Sequence, residues 1–272
     1  MIFPSPTWFV GCGNMGQAMV KGWQAAGADL SNAVAIRPSG KTVEGVRTVT
    51  SLKEAGAAPR MIVLGFKPQQ LDEIAPQLLP WLSSKTVVVS ILAGAEAESL
   101  KARFPKAIIV RAMPNLPVAV RRGIVALYAP EDLDDDLHKQ LSDLFAALGF
   151  AMWTEGESAF GAIGSVAGSG PAYVARFIDA LADAGEKQGL PKALAATIAL
   201  ETVFGTAWLA ASTGESLDDV ARTVASPKGT TQAGLAVLDR EGAFRQLIGA
   251  TIEAARRRGA ELAAEARGEQ VA

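Results

Sequence analysis

The feature that most constrains the fold is a glycine-rich turn near the start of the chain. Residues 10–16 read VGCGNMG, follow the short apolar run at 8–10, and space their glycines as GxGxxG. In this pattern the first glycine permits a tight strand-to-helix turn, the second lets a pyrophosphate approach the backbone, and the third lets helix and strand pack closely. Because glycine-rich turns are common, the motif alone does not establish that a dinucleotide is bound, and the surrounding sequence must be considered.

The residues after the turn complete a strand–helix–strand pattern. Met19, Trp23 and Ala26 recur at helical spacing, Gly27 is suited to end that helix, and 33–36 is a second apolar run. This is the βαβ unit in which N–H groups at the helix start face the phosphates. The context therefore favours dinucleotide binding.

Strand and helix patterns continue to alternate beyond this unit. Strands are predicted at 61–64, 86–91 and 107–110, with helices at 68–79 and 95–104 and a capping box at 51–54 that opens another. Such near-continuous apolar strands separated by helices predict a parallel sheet covered on both faces. After Asn115, strands at 123–129 and 150–153 and a helix at 132–148 are expected to extend the edge of the sheet.

The strand patterns stop after Thr154. Three helical patterns follow at 172–187, 193–211 and 244–264, and the first two are rich in alanine and apolar on more than one face. Helices that are apolar nearly all round need burial beyond their own monomer, which predicts an intimate homodimer. A self-sufficient helical bundle is the alternative. The predicted domains are 1–155, which binds the dinucleotide, and 156–272, which is all-helical.

Composition excludes several classes of partner. With 26 basic and 28 acidic residues the formal net charge is −2, too small to gather nucleic acid or anionic lipid. The single cysteine, Cys12, excludes an internal disulfide and fits a reducing compartment. No secretory signal and no apolar run of bilayer-spanning length are recognised. A cytoplasmic protein without a metal site is therefore expected.

The end of the second predicted strand indicates which dinucleotide is bound. An acidic residue there would hydrogen-bond the ribose 2′-hydroxyl of NAD. This strand instead ends with Arg37 and Ser39, followed by Lys41. A guanidinium pairs bidentately with a phosphate, and a nearby hydroxyl adds a donor. NADP is therefore favoured, and the alternative is that Arg37 is a solvated surface charge.

Two later motifs stand directly before helical patterns. Residues 168–173 read GSGPAY and residues 226–231 read SPKGTT. Each is suited to a helix N-terminus, and chemistry alone favours that purely structural role. Gly-Thr-Thr at a helix start also offers backbone N–H groups and two hydroxyls to a small carboxylate.

These two motifs, together with the first glycine motif, resemble the pyrroline-5-carboxylate reductase family. Matching segments also occur at 67–69, 93–94 and 113–115, in order and at family-like spacing, so the resemblance covers nearly the whole chain. GSGPAY together with SPxGTT makes it specific. The resemblance implies an α/β fold with an N-terminal Rossmann domain and a C-terminal all-α domain that interlocks two subunits, with dimers often assembling further.

The resemblance also implies the residues of the site. The predicted cofactor residues, including Arg37 and Ser39 from the strand end, are Val10, Gly11, Gly13, Asn14, Met15, Gly16, Arg37, Ser39, Phe66, Lys67 and Ala93. The predicted substrate residues are Gly229, Thr230 and Thr231, with Glu157, or alternatively Glu155, nearby. Thr231 is assigned as the catalytic residue, its hydroxyl close to the ring nitrogen of the substrate.

The chain departs from the family pattern at two places. Lys228 stands where the family usually has a small residue, often glycine, and adds bulk and charge near the implied carboxylate site. Residues 161–167 read GAIGSVA, without the acid and threonine that are common there, and Ser165 partly replaces the threonine. Both changes bear on substrate affinity and identity and leave the reductase expectation standing.

The implied reaction is hydride transfer from NADPH to the C=N carbon of 1-pyrroline-5-carboxylate, which gives L-proline. The single histidine, His138, lies in a charged helical pattern and is not expected to take part. One alternative is a reductase of another cyclic imine or of a 3-hydroxyacid-type substrate. The latter families usually need a catalytic lysine, whereas Lys187 and Lys192 lie outside a matching motif. A non-catalytic dinucleotide-sensing protein is the alternative of another class.

Overall fold

A computed structural model of the chain describes residues 3–266, which form two compact units. Residues 3–169 and 255–266 make up the first unit, and Gly170–Ala254 the second. The strands, all in the first unit, are β1 (Thr7–Val10), β2 (Ala33–Ile36), β3 (Arg47–Val49), β4 (Met61–Leu64), β5 (Val87–Ser90), β6 (Ile108–Pro114), β7 (Gly123–Tyr128) and β8 (Gly149–Trp153). Its helices are α1 (Asn14–Ala25), α2 (Leu52–Ala55), α3 (Leu71–Leu78), α4 (Ala97–Arg103), α5 (Asp135–Ala146), α6 (Glu157–Ile163) and the end, from Ala255, of a long last helix (Ala243–Ala266).

The eight strands form one sheet in the order β3-β2-β1-β4-β5-β6-β7-β8. All neighbours are parallel except β6 and β7, which are antiparallel. Because β1 pairs with β2 on one side and with β4 on the other, the chain order reverses at β1. Open α/β sheets bind ligands in the crevice at the carboxyl ends of the strands beside such a reversal. The topology therefore predicts a ligand-binding site at the carboxyl ends of β1 and β4.

The two faces of the sheet carry separate hydrophobic clusters. Side chains alternate along a strand, so Trp8 packs with the cluster of α3 and α4, whereas Phe9 packs with the cluster of α1 and α5. Trp23 of α1 is fully buried in the latter cluster, and its indole Nε1 donates to the carbonyl of Leu144, 2.8 Å away. The prediction of a largely parallel sheet covered on both faces is confirmed.

The structure differs from the sequence prediction in local detail. β3 was not predicted, because it has only three residues and its first is exposed. β6 is longer than predicted, and β7 pairs with it from Arg111 to Pro114, so β7 and β8 do extend the sheet. The capping box is not formed: Glu54 accepts from the Ser51 hydroxyl at 2.6 Å and not from its backbone N–H, and the Ser51 side chain caps no backbone N–H.

The second unit is helical, and the predicted helices there are confirmed. Its helices are α7 (Gly170–Lys187), α8 (Lys192–Thr213), α9 (Leu217–Val224), α10 (Thr230–Leu238) and the part of α11 (Ala243–Ala266) that precedes Ala255. α7 and α8 pack closely, since a Cβ on Gly185 would lie 3.4 Å from that of Ala195. Many large apolar side chains are exposed in the single chain, among them Phe177, Leu194, Ile198, Phe204 and Trp208.

The expectation that no apolar run reaches bilayer-spanning length is wrong for α8. This helix has 22 residues and a mean hydropathy of 1.5, enough to cross a membrane by length and composition, because alanine, leucine, isoleucine, valine and phenylalanine outweigh Glu201 and the threonines. It is the one such helix in the described part of the chain, which is weak support for a membrane span. A carboxylate such as that of Glu201 is costly inside a bilayer.

Candidate active site

The glycine turn between β1 and α1 has two glycines that the protein itself requires. Gly11 has a φ of 71°, and a Cβ there would lie 2.8 Å from the backbone nitrogen of Phe66. A Cβ on Gly16 would lie 2.9 Å from Sγ of Cys12. Side chains at these positions would force the turn away from the strand and the helix. The first and third glycines of the motif therefore permit the tight packing that the sequence predicts.

Gly13 is different, because its own surroundings do not require a glycine. Its φ is −76°, and a Cβ there would meet no atom of the described chain within 4 Å. Gly13 is the N-cap of α1, makes no side-chain cap, and is followed by a first turn without an acidic residue. As at every helix start, the first N–H groups of α1 have no partner within the helix, and no side chain of the N-cap serves them here. The arrangement fits a pyrophosphate, which needs close backbone approach and no competing carboxylate.

A cleft of about 1160 Å³ lies at the carboxyl ends of β1, β2 and β4. Of the predicted cofactor residues, those that line it are Val10, Gly11, Gly13, Arg37, Ser39, Phe66 and Lys67. Asn14, Met15 and Gly16 stand at the start of α1, and Ala93 lies in the loop after β5; these four do not line the cleft. The structure therefore brings together the turn, the strand end at Arg37 and the residues after β4.

The same cleft contains polar residues that sequence reasoning missed. The backbone of Arg37 donates to the carbonyl of Val49 at 2.9 Å, so the residues after β2 and after β3 run side by side. Thr50, Ser51 and Lys53 consequently line the cleft with Arg37. Two hydroxyls and an ammonium beside a guanidinium suit a phosphate group. The sequence held one indication of this role, because Ser51 and Lys53 come directly after a strand and so at the edge of the sheet where ligands bind. This indication was not used because β3 itself was not predicted.

Cys12 lies under the turn and is only 1% exposed. Burial raises the pKa of its thiol to about 11, and the positive charge of Arg37 acts in the opposite direction. The thiol is therefore protonated at neutral pH and packs as a small apolar group.

The predicted substrate residues stand at the start of α10. Gly229 is its N-cap, and Thr230 and Thr231 are its first two residues, with no acidic side chain in the first turn. Neither threonine hydroxyl has a hydrogen-bond partner among residues 3–266. The helix start thus has free donors of the kind that bind a carboxylate.

Lys228 occupies a backbone conformation that favours glycine. Its φ is 58°, and its backbone N–H donates to Oε1 of Gln232 at 2.6 Å. A residue with a Cβ pays roughly 1–2 kcal/mol in this left-handed region. This requirement explains in physical terms why the family pattern often has glycine here.

Glu157, the predicted acid, is held by two donors. Its Oε1 accepts from Nη1 of Arg111 and from the backbone nitrogen of Ala97, both at 2.7 Å. The guanidinium carbon of Arg111 also lies 4.4 Å from the centre of the Phe160 ring, a cation–π contact. The carboxylate is therefore fixed at the start of α6.

The sheet topology and the cleft define a dinucleotide-binding protein of the Rossmann class. Residues 8–94 match the family model described as NADP oxidoreductase, coenzyme F420-dependent, and residues 157–262 match pyrroline-5-carboxylate reductase dimerisation. Pyrroline-5-carboxylate reductase of Pseudomonas aeruginosa is 35% identical over 94% of this chain and 96% of its own length. The chain belongs to the pyrroline-5-carboxylate reductase family, which confirms the resemblance seen in the sequence.

Solved structures agree with this assignment. A pyrroline-5-carboxylate reductase from Coxiella burnetii has a TM-score of 0.85 at 31% identity, over 96% of this chain and 99% of the other. The Plasmodium falciparum pyrroline carboxylate reductase, crystallised with NADP bound, has a TM-score of 0.88 at 26% identity, over 97% and 100% of the two chains. The predicted fold class is thus confirmed.

Proposed function

We propose that this protein reduces 1-pyrroline-5-carboxylate to L-proline with NADPH, by hydride transfer to the C=N carbon. The observation that carries the proposal is the open position at Gly13 in a cleft shared with Arg37, in a chain whose relatives are pyrroline-5-carboxylate reductases. These relatives do not favour another cyclic imine or a 3-hydroxyacid-type substrate. A non-catalytic dinucleotide sensor is likewise not favoured.

The cofactor half of the proposal assigns each part of the cleft a role. NADPH supplies the hydride when it is bound. The backbone of Gly11 and Gly13 and the start of α1, from Asn14 to Gly16, bind the pyrophosphate, while Phe66, Lys67 and Ala93 line the rest. Arg37 and Ser39 bind the 2′-phosphate, which makes NADP preferred over NAD.

The substrate half assigns the carboxylate of the imine to the start of α10. Gly229 and Thr230 bind it through backbone N–H groups and a hydroxyl, and the Thr231 hydroxyl bonds the ring nitrogen. Glu157 contributes its carboxylate to the same substrate. An imine that binds already protonated needs no general acid, so the task of these residues is to orient it for transfer.

The test is NADPH oxidation with pyrroline-5-carboxylate beside a panel of other cyclic imines and a 3-hydroxyacid. We expect Thr231→Val to lose about 5- to 150-fold in kcat/KM, because removal of one buried hydrogen bond costs about 1–3 kcal/mol. Thr231→Ser retains the hydroxyl and is the matched control. If Thr231 only caps the helix, Thr231→Val lowers the melting temperature and regains activity on cooling. Wild-type kinetics for this variant would remove Thr231 from the site.

The assembly forms part of the same proposal. Residues 156–272 act as the dimerisation and substrate domain of a homodimer or higher homo-oligomer, and residues 1–155 as the NADP-binding domain. The match of residues 157–262 to the dimerisation family and the exposed apolar side chains of α8 support this. A small cyclic imine carboxylate is the proposed partner, without nucleic acid or membrane, and the proposed location is cytoplasmic.

A further inference from the structure

One face of β6 holds the segment that leads to the GSGPAY motif. Arg111, Met113 and Asn115 alternate along the chain and so share a face. Arg111 pairs with Glu157, and a Cβ on Gly164 would overlap the Met113 side chain. Further along, Nδ2 of Asn115 donates to the carbonyl of Ala167 at 3.0 Å, while its Oδ1 accepts from the backbone of Ile124 at 2.8 Å. The segment from 157 to 167 is thereby fastened to the sheet at successive turns.

The contact between Arg111 and Glu157 also involves α4. The oxygen of Glu157 that faces Arg111 also accepts the backbone N–H of Ala97, the first residue of α4. Ala97 directly follows the loop formed by residues 91–96, which connects β5 to α4. Glu157 therefore connects α6, β6 and the end of this 91–96 loop through one oxygen atom.

The 91–96 loop begins beside the cofactor cleft. The backbone of Ile91 donates to the carbonyl of Leu64 at 3.1 Å, and a Cβ on the cleft residue Gly65 would lie 3.5 Å from Cδ1 of Ile91. The loop is thus anchored at its start by the sheet and at its end by Glu157. Ala93, one of the proposed cofactor residues, lies between these two anchors.

Stability alone is a poor reason for such an ion pair. The Arg111 side chain is 10% exposed and that of Glu157 is 32% exposed, so both charges lose much of their hydration. Replacement of a buried ion pair by apolar residues of similar size is often neutral or stabilising. A role in holding the loop explains why charges stand here, because a carboxylate accepts a backbone N–H and leucine does not.

We propose that Arg111 and Glu157 are positioning residues that hold the 91–96 loop against the bound cofactor. Arg111 orients the carboxylate, the carboxylate fixes Ala97, and the fixed loop presents Ala93 to the cofactor. This rests on the proposed role of Ala93 in NADPH binding. Pre-ordering of a binding loop raises affinity by reducing the entropy lost on binding.

The test is the dissociation constant of NADPH, measured by fluorescence titration of the full-length protein without substrate. We expect Arg111→Met/Glu157→Leu to weaken NADPH binding about 2- to 10-fold, the effect of leaving one or two groups to be ordered on binding. The kcat/KM for the imine should fall further, by about 10- to 100-fold, because small errors in position slow transfer and because this variant also lacks the Glu157 carboxylate proposed for the substrate. The dissociation constant of NADPH is therefore the readout that tests the loop. The single variant Arg111→Lys keeps a cation beside Glu157 and should bind NADPH with most of the wild-type affinity.

A second variant tests the loop contact without disturbing the ion pair. Ala97→Pro removes the N–H that Glu157 accepts, and proline is favoured at the first position of a helix. Glu96, with φ −74° and ψ 156°, already has the extended backbone that must precede a proline. We expect Ala97→Pro to weaken NADPH binding as the double variant does. Asp135→Pro, at the first position of α5, is the matched control and should bind NADPH as wild type does.

Two outcomes for the double variant and Ala97→Pro would contradict the inference. The inference is overturned if the two variants lower the melting temperature but bind NADPH with wild-type affinity. It is also overturned if their only defect is a raised KM for the imine with NADPH affinity unchanged, because Glu157 then acts on the substrate and does not hold the loop. A wild-type protein that binds NADPH without reducing pyrroline-5-carboxylate would refute the proposed function, while the titrations would still test the loop.

Discussion

The contrast between Gly13 and Gly11 gives a sharp test of what the glycine motif is for. We expect Gly13→Ala to fold as wild type does and to bind NADPH poorly. At Gly13 the backbone is extended and a Cβ meets no described atom within 4 Å. The added methyl would occupy the space through which a pyrophosphate reaches the backbone.

The stability change at Gly13 is the difference of two small terms. Loss of glycine flexibility from the unfolded chain favours alanine by about 0.4–1 kcal/mol. Alanine is a poorer N-cap than glycine by roughly 0.5–1.5 kcal/mol, so the net change stays within about 1 kcal/mol. The binding change is larger, since displacement of the phosphates removes one or two charge-assisted hydrogen bonds at about 1.5–3 kcal/mol each. We therefore expect affinity for NADPH to fall about 10-fold or more.

Gly11→Ala is the matched variant, and here a loss of stability is the expected effect. Alanine at a φ of 71° costs about 1–2 kcal/mol, and the Cβ would lie 2.8 Å from the Phe66 backbone, which adds about 1–3 kcal/mol of overpacking. The sum lowers the melting temperature by roughly 5–15 °C. Thermal melting and NADPH titration on both variants separate the two roles. Wild-type NADPH affinity in Gly13→Ala would refute the assignment of this position to the cofactor.

Arg37→Asp should weaken NADPH binding about 10- to 150-fold and reverse the preference toward NADH, and equal affinity of the wild type for both would contradict the role of Arg37. Because burial raises the pKa of the Cys12 thiol from 9.0 to about 11, its contribution to stability is complete below pH 9 and is lost as pH rises to about 11, by up to about 2–3 kcal/mol. Urea unfolding at stepped pH should show this loss in the wild type and not in Cys12→Ala. Sedimentation should find a dimer at micromolar concentration, and a monomer would refute the assembly proposed from the exposed apolar side chains.

Much of the first unit could be predicted because its signals are local. Short apolar runs that are buried along their whole length, such as Met61–Leu64, leave little choice but the middle of a parallel sheet. The spacing of Gly11, Gly13 and Gly16 fixed the place of the turn. The sequence could not tell which glycine serves packing and which serves the ligand, since that depends on Phe66 and Cys12 reaching the turn in three dimensions.

The unpredicted parts depend on contacts between distant residues. β3 has too few apolar residues to be recognised alone, and it forms because it pairs with β2. Thr50 and Lys53 enter the cleft only as a consequence of that pairing, so no local pattern marks them. The family resemblance could indicate that Glu157 belongs to the site. Its partners could not be predicted, because β7, α5 and β8 separate Arg111 from it, and Ala97 lies further back at the start of α4.

The ion pair of Arg111 and Glu157 shows that the role assigned to a residue depends on its partners in the fold. A lone carboxylate before a helical domain is naturally assigned to the substrate, because carboxylates are common in active sites. Once Oε1 of Glu157 is engaged by both Arg111 and the backbone of Ala97, part of its capacity to accept hydrogen bonds is already used by the protein. The same side chain then orders a loop whether or not substrate is present. A role in positioning therefore acts on cofactor binding itself and is measurable without the imine.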